Sequence, residues 1–99
     1  MVQIKWTKLA MDDLKGIYDY ISRDSVKFAK IETIKLKVRT TILKRHAFAG
    51  KPVPELNNDI FRELIEGNYR IIYKIIDLKT IHILTIHHSA RELTRRQLE

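Results

Sequence analysis

Ninety-nine residues, 44% of them apolar, suffice for one ordinary hydrophobic core and not for two, so residues 1–99 are expected to form a single domain. The absence of cysteine excludes disulfides and thiolate metal sites and fits a reducing compartment, while no apolar run approaches the roughly 20 residues of a membrane helix. The opening MVQIKWTKLA lacks the apolar stretch of a secretory signal, so the expectation is a cytoplasmic protein that meets no membrane. Nineteen Lys and Arg against twelve Asp and Glu leave a net charge of +7, which attracts an acidic partner or a nucleic acid.

In chain order, Val2 and Ile4 alternate with Gln3 and Lys5 before Trp6, the period of a short strand. Thr7 offers a capping oxygen, and Ala10, Leu14, Ile17, Tyr18 and Ile21 recur at helical spacing, which predicts a helix over 7–22 with Asp12, Asp13, Lys15 and Asp19 turned away from the stripe. The cluster Ser22-Arg23-Asp24-Ser25 stops one helix and starts another, expected over 25–46. That second helix carries two apolar stripes: Ile31, Ile34, Val38 and Ile42 on one, Ala29, Leu36 and Leu43 on the other. Two stripes need two neighbours, and any excess is an interaction surface.

Gly50, Pro52 and Pro54 then force an extended connection. Beyond it lie three β-branched or aromatic runs, 60–65, 69–76 and 80–87, separated by Glu66-Gly67-Asn68 and by Asp77-Leu78-Lys79. Short connections of that chemistry imply an antiparallel meander. The tail from Ala90 to Leu98 suits a short basic helix. The fold class is α+β, in the order β-α-α-β-β-β, with a helical hairpin packed on one face of an antiparallel sheet.

The pattern Trp6, Ala10, Asp13-Leu14, Ile17 and Tyr20-Ile21, followed by Gly50, Pro54-Glu55-Leu56, Arg62-Glu63-Leu64, Tyr69-Arg70-Ile71, Tyr73 and His88 with Arg91, resembles the ParE/RelE toxin superfamily across nearly the whole chain, its ParE-like (plasmid stabilisation) branch in particular. The resemblance implies the toxin of a type II toxin–antitoxin pair, neutralised by a cognate antitoxin whose acidic or amphipathic C-terminal segment wraps it. ParE-like members are implied to inhibit growth through DNA gyrase, and RelE-like members to cut messenger RNA in the ribosome. The resemblance implies no cofactor.

A metal-independent nuclease of the RelE type needs a base, a cation for the developing phosphorane charge and an acid for the leaving oxygen. By resemblance Arg70, His88, Arg91 and, as a base, Glu55 would fill those roles. Two departures oppose this: Phe61 and Glu63 stand where the RelE pattern carries lysines, and Gln97 stands near the place of its C-terminal Tyr. The favoured reading therefore assigns no catalytic residue and gives Arg62, Arg70, His88, Arg91, Arg95 and Arg96 to target or partner contact. A non-toxic interaction module ranks last, since no helix-turn-helix or ribbon-helix-helix element is visible.

Simpler roles stand beside these. Arg70 can pair with Glu63 or Glu66 across the hairpin, and Tyr69 and Tyr73, on one face of their strand, suit the core. His82 reads as solvent-facing, and the four His lack the spacing of a metal site. Because strand side chains alternate, a two-residue loop before Thr80 turns His88 away from Arg70 and a three-residue loop brings them together.

Overall fold

A computed structural model describes residues 1–89, and the tail from 90 onward, with its expected short helix, lies outside the described residues. The elements are β1 (Gln3–Trp6), α1 (Lys8–Ser22), α2 (Val26–Arg39), a 3₁₀ turn (Thr40–Lys44), β2 (Lys51–Pro52), β3 (Phe61–Glu66), β4 (Tyr69–Asp77) and β5 (Thr80–His88). Two helices pack on one face of a five-stranded sheet in the order β1-β5-β4-β3-β2.

The meander β3-β4-β5 is antiparallel, but β1 enters the sheet parallel to β5, with Ile4 opposite Ile81 and Trp6 opposite Ile83. The expected all-antiparallel sheet is thus a mixed one. Helices α1 and α2 carry the chain from β1 at one edge of the sheet to β2 at the other, which leaves β1 beside the last strand. Two residues of the proline-bearing connection, Lys51 and Pro52, add a second unexpected strand against Glu63 and Arg62.

Helix α1 starts where the Thr7 hydroxyl accepts the Ala10 amide, and α2 where the Ser25 hydroxyl accepts the amide of Phe28. The second helix ends at Arg39 rather than at 46. There the Thr40 and Thr41 hydroxyls donate to the carbonyls of Lys37 and Val38, and the backbone tightens into the 3₁₀ turn.

The core between helices and sheet is built from Ala10, Leu36 and Leu43 against Leu64, Ile71, Tyr73, Ile81 and Ile83. Burying side chains of this size is worth about 1.5–3 kcal/mol each. A smaller cluster of Val53, Ile72 and Leu84 lies on the sheet's other face, under the 53–60 connection. The stripes of α2 divide as its sequence suggests: Ala29 and Leu36 are buried, while Ile31, Ile34 and Val38 remain 40–59% exposed.

The turn Gly67-Asn68 holds Glu66 opposite Tyr69, with Gly67 at φ 57°, the pattern of a type II′ hairpin. Between β4 and β5 the register slips twice, with Ile76 extra in β4 and Leu84 extra in β5. The two slips cancel.

Candidate functional site

Asp13, expected on the solvent side of α1, instead turns to the sheet, where its Oδ2 accepts the Ile86 amide at 3.0 Å and the Thr85 hydroxyl. Thr7 donates its hydroxyl to the Leu84 carbonyl at 2.9 Å. Together they satisfy backbone groups of the β5 bulge, which β1 is too short to cover. The helical periodicity could not reveal this, because the need arises from a bulge in a strand more than seventy residues away.

Arg70 lies on the sheet face away from the helices, between two carboxylates. Its Nε and Nη2 meet Glu63 at 3.0 and 2.9 Å, and its Nη1 and Nη2 meet Glu55 at 2.7 Å each. The side chains of Arg70, Glu63 and Glu55 are 9%, 2% and 30% exposed. This is no surface pair: two parallel forks hold the guanidinium, and Glu66 takes no part. The hydrogen bonds that Arg70 donates to Glu55 and then to Glu63 push its pKa further above its already high ordinary value. The bidentate grip also fastens the 53–60 connection, and so Val53 and Leu56, over Ile72 and Leu84.

Arg70 stands opposite His87, and Tyr69 opposite His88. His88 therefore points to the side of Tyr69, whose ring it meets edge-on at 5.9 Å between centroids. Tyr69 packs against the helix-side core, so Arg70 and His88 are on opposite faces of the sheet. Glu55, Glu63 and Arg70 are brought together, and His88 is not among them. Arg62 turns its Nε to the Gly50 carbonyl at 2.8 Å and its Nη1 to the Asp59 carbonyl at 3.2 Å, with its guanidinium 5.0 Å from the centre of the Phe48 ring. Arg91, Arg95 and Arg96 lie outside the described residues.

The helix side carries a groove that no motif of the sequence marks. A cavity of about 740 Å³ opens between β1, α1, α2 and the 3₁₀ turn, lined by Ile4, Trp6, Leu14 and Tyr18 among others. Lys15, Lys37 and Lys44 line it too, and no carboxylate does. The amides of Gln3 and Thr7 donate to carbonyls of Lys79 and Ile83, so the intervening backbone groups of Ile4 and Trp6 point to the other side, where no described strand lies. The exposed stripe of α2 was the available signal for this surface.

A two-helix hairpin on this mixed sheet, with these residues in this order, agrees with the family whose model matches residues 4–93, the ParE toxin of the type II toxin–antitoxin system parDE. The chain belongs to the ParE toxin family. It is also 34% identical over 92 residues to Toxin RelE2 of Caulobacter vibrioides, covering 92% of this chain and 99% of that one. Among solved structures it is similar to the chromosomal ParDE toxin–antitoxin system of P. aeruginosa, at TM-score 0.73 and 26% identity over 89% of this chain and 96% of that one. Likeness to the RelBE2 toxin–antitoxin complex of Mycobacterium tuberculosis is lower, at TM-score 0.56 and 26% identity over 88% and 96% of the two chains.

Within this ParE-family chain, several residues that carry the resemblance have structural work. Ala10 is the wholly buried residue of α1, Asp13 holds the bulge, Gly50 and Tyr73 close a turn, and Glu63 and Arg70 form the ion cluster. No helix among the described residues is long and apolar enough to cross a membrane.

Proposed function

We propose that this ParE-family toxin arrests growth without cutting RNA, with DNA gyrase as its target and a cognate antitoxin as its neutralising partner in the cytoplasm. The observation that carries this reading is the enclosure of Arg70 by Glu55 and Glu63. An incoming phosphate would have to displace a carboxylate from each fork it used, and the carboxylate that stays would repel it. His88, the general-acid candidate that the resemblance supplied, stands on the other face of the sheet, away from Arg70.

The helix-side groove supports the antitoxin. Its apolar lining and three lysines suit an amphipathic segment carrying carboxylates, and both structures named above are toxin–antitoxin assemblies. The competing reading, a ribosome-dependent messenger RNA endonuclease, is favoured by the 34% identity to a relative called RelE2.

Induced expression with two readouts separates the two. The gyrase reading expects growth arrest with a DNA-break response and intact messenger RNA, relieved by co-expression of the short acidic protein encoded beside the toxin. Loss of messenger RNA without DNA breaks establishes the endonuclease instead.

A further inference from the structure

Across four adjacent strands the register sets Lys5 opposite His82, His82 opposite Lys74 and Lys74 opposite Phe61. Directly paired residues share a face, so these four side chains form one row perpendicular to the strands. Their chain neighbours Ile4, Trp6, Ile81, Ile83, Tyr73 and Ile75 pack into the core beneath the helices. The row therefore lies on the opposite face, where Arg70 and Glu63 also lie.

Neighbouring strands are about 4.8 Å apart, so the row sets its two lysines roughly 10 Å apart with an imidazole between them. Lys5 is exposed, and His82, Lys74 and Phe61 are half-buried. Among the described residues no carboxylate forms an ion pair with Lys5, His82 or Lys74. Glu63, the nearest acid on this face of β3, is engaged by Arg70. The Lys74 ammonium sits 5.2 Å from the centre of the Phe61 ring, which holds it at the end of the row. The 53–60 connection covers the face over Ile72 and Leu84 and reaches the row at Phe61, which packs against that cluster.

We infer that this row is a binding site for the phosphodiester backbone of a single-stranded nucleic acid, read without regard to sequence. Cations in line with an aromatic ring at one end are what such a backbone needs. An acidic protein segment needs apolar anchoring as well, and this chain offers that on the other side of the sheet, in the groove lined by Trp6 and Leu14. The two faces thus take different ligands. The inference stands apart from the proposed target, since a strand-binding face serves a toxin whose prey holds DNA or RNA and requires no cleavage.

The test is fluorescence anisotropy of the full chain with a labelled 12-nucleotide single strand of mixed sequence, as DNA and as RNA, between about 50 and 200 mM salt. Two charge-matched double variants are compared: Lys5→Glu with Lys74→Glu, and Lys27→Glu with Lys30→Glu on the exposed side of α2. Circular dichroism confirms the fold, and Lys5→Gln with Lys74→Gln serves if the charge reversal unfolds the sheet. Removing both lysines of the row is expected to weaken binding at least tenfold, and to lower the slope of log K against log salt by about 1.4, as two fewer phosphate contacts on a single strand require. The α2 pair should change affinity less than threefold. Equal losses from the two pairs would assign binding to net charge alone and overturn the inference. So would absence of binding at 50 mM salt, or displacement of the strand by an equal concentration of a 12-residue polyglutamate, which would make the row a site for acidic protein.

Discussion

The Tyr73 hydroxyl accepts the Gly50 amide at 3.0 Å, and a Cβ on residue 50 would lie only 2.8 Å from that same oxygen and 2.4 Å from the Glu63 carbonyl. The hydroxyl also donates to the Ala47 carbonyl at 2.7 Å, so one buried tyrosine ties the exit of the 3₁₀ turn to the middle of the sheet. Gly50 is there because backbone must come close.

Gly50→Ala is accordingly expected to destabilise the fold by about 1–3 kcal/mol through overpacking. Tyr73→Phe, which leaves a buried amide without its acceptor, should cost about 1–3 kcal/mol. Gly16, in the middle of α1, has nothing within 4 Å of the place where a Cβ would stand, and should behave oppositely. Gly16→Ala is expected to stabilise by roughly 0.5–1 kcal/mol. Thermal melts decide, at about 4–8 °C per kcal/mol for a domain of this size. A neutral Gly50→Ala would refute the close approach.

Removing Arg70 strands the buried Glu63 carboxylate, whereas removing Glu55 leaves Arg70 held by Glu63. Arg70→Met is therefore expected to cost about 3–5 kcal/mol, and adding Glu63→Gln should recover part of that loss, because the uncompensated charge and not the missing attraction dominates. Glu55→Ala should cost much less and mainly loosen the 53–60 connection. Urea denaturation of the parent chain, the two single variants and the double variant, read as a double-mutant cycle for the Arg70 and Glu63 changes, measures the coupling. Strict additivity would rule out the argument. Loss of toxicity in Arg70→Met together with this loss of stability would then say nothing of catalysis.

How far the sequence carried these features differs by element. The helix starts and the antiparallel meander were legible, because capping residues, period-2 runs and short Gly- or Asp-bearing connections are local signals. Whether Arg70 and His88 share a face stayed open in the sequence between a two- and a three-residue loop; the structure has two residues there, and because the slips at Ile76 and Leu84 cancel, the two side chains part. The parallel seat of β1 was not legible, because nothing within Val2–Trp6 specifies its partner. The end of α2 at Arg39 was hidden by Ile42 and Leu43, which continue the apolar spacing through a turn that is no longer α-helical. In the Arg70 cluster Glu63 was visible from strand parity and Glu55 was not, because it reaches the site from a connection without periodicity.

Burial raises the pKa of Tyr73 and of Tyr69, in the latter with help from the charge of Glu32. A phenol whose folded pKa lies above its unfolded value of about 10 stabilises the fold fully below pH 10, and that contribution is lost as pH rises through the folded value. Stability is thus expected to fall above pH 10, with the phenolate absorbance of these two rings appearing late and together with unfolding. Tyr69→Phe and Tyr73→Phe should each flatten the alkaline fall. A chain whose stability is level from pH 9 to 11 would contradict the assignment.

The last expectation concerns the helix-side groove, where the chain's one tryptophan lines the cavity and so reports its occupancy. An amphipathic acidic segment seated there would bury Trp6 and Ile34 and meet Lys37 and Lys44, while the exposed stripe from Ile31 to Ile42 would guide its apolar side. Binding of the cognate antitoxin is therefore expected to shift Trp6 emission to shorter wavelength. Ile34→Asp replaces an apolar anchor with a charge that repels the partner's carboxylates, and it should weaken the complex at least tenfold, about 1.4 kcal/mol. Lys37→Glu with Lys44→Glu should act chiefly on the association rate and reduce its dependence on salt, as rim charges do. Hydrogen exchange distinguishes the shape of the segment. A strand added to β1 protects the amides of Ile4 and Trp6, whereas a helix laid in the groove covers the side chains and leaves those amides exchanging. Tight binding with unchanged Trp6 emission and unaltered affinity in Ile34→Asp would place the antitoxin elsewhere on the molecule.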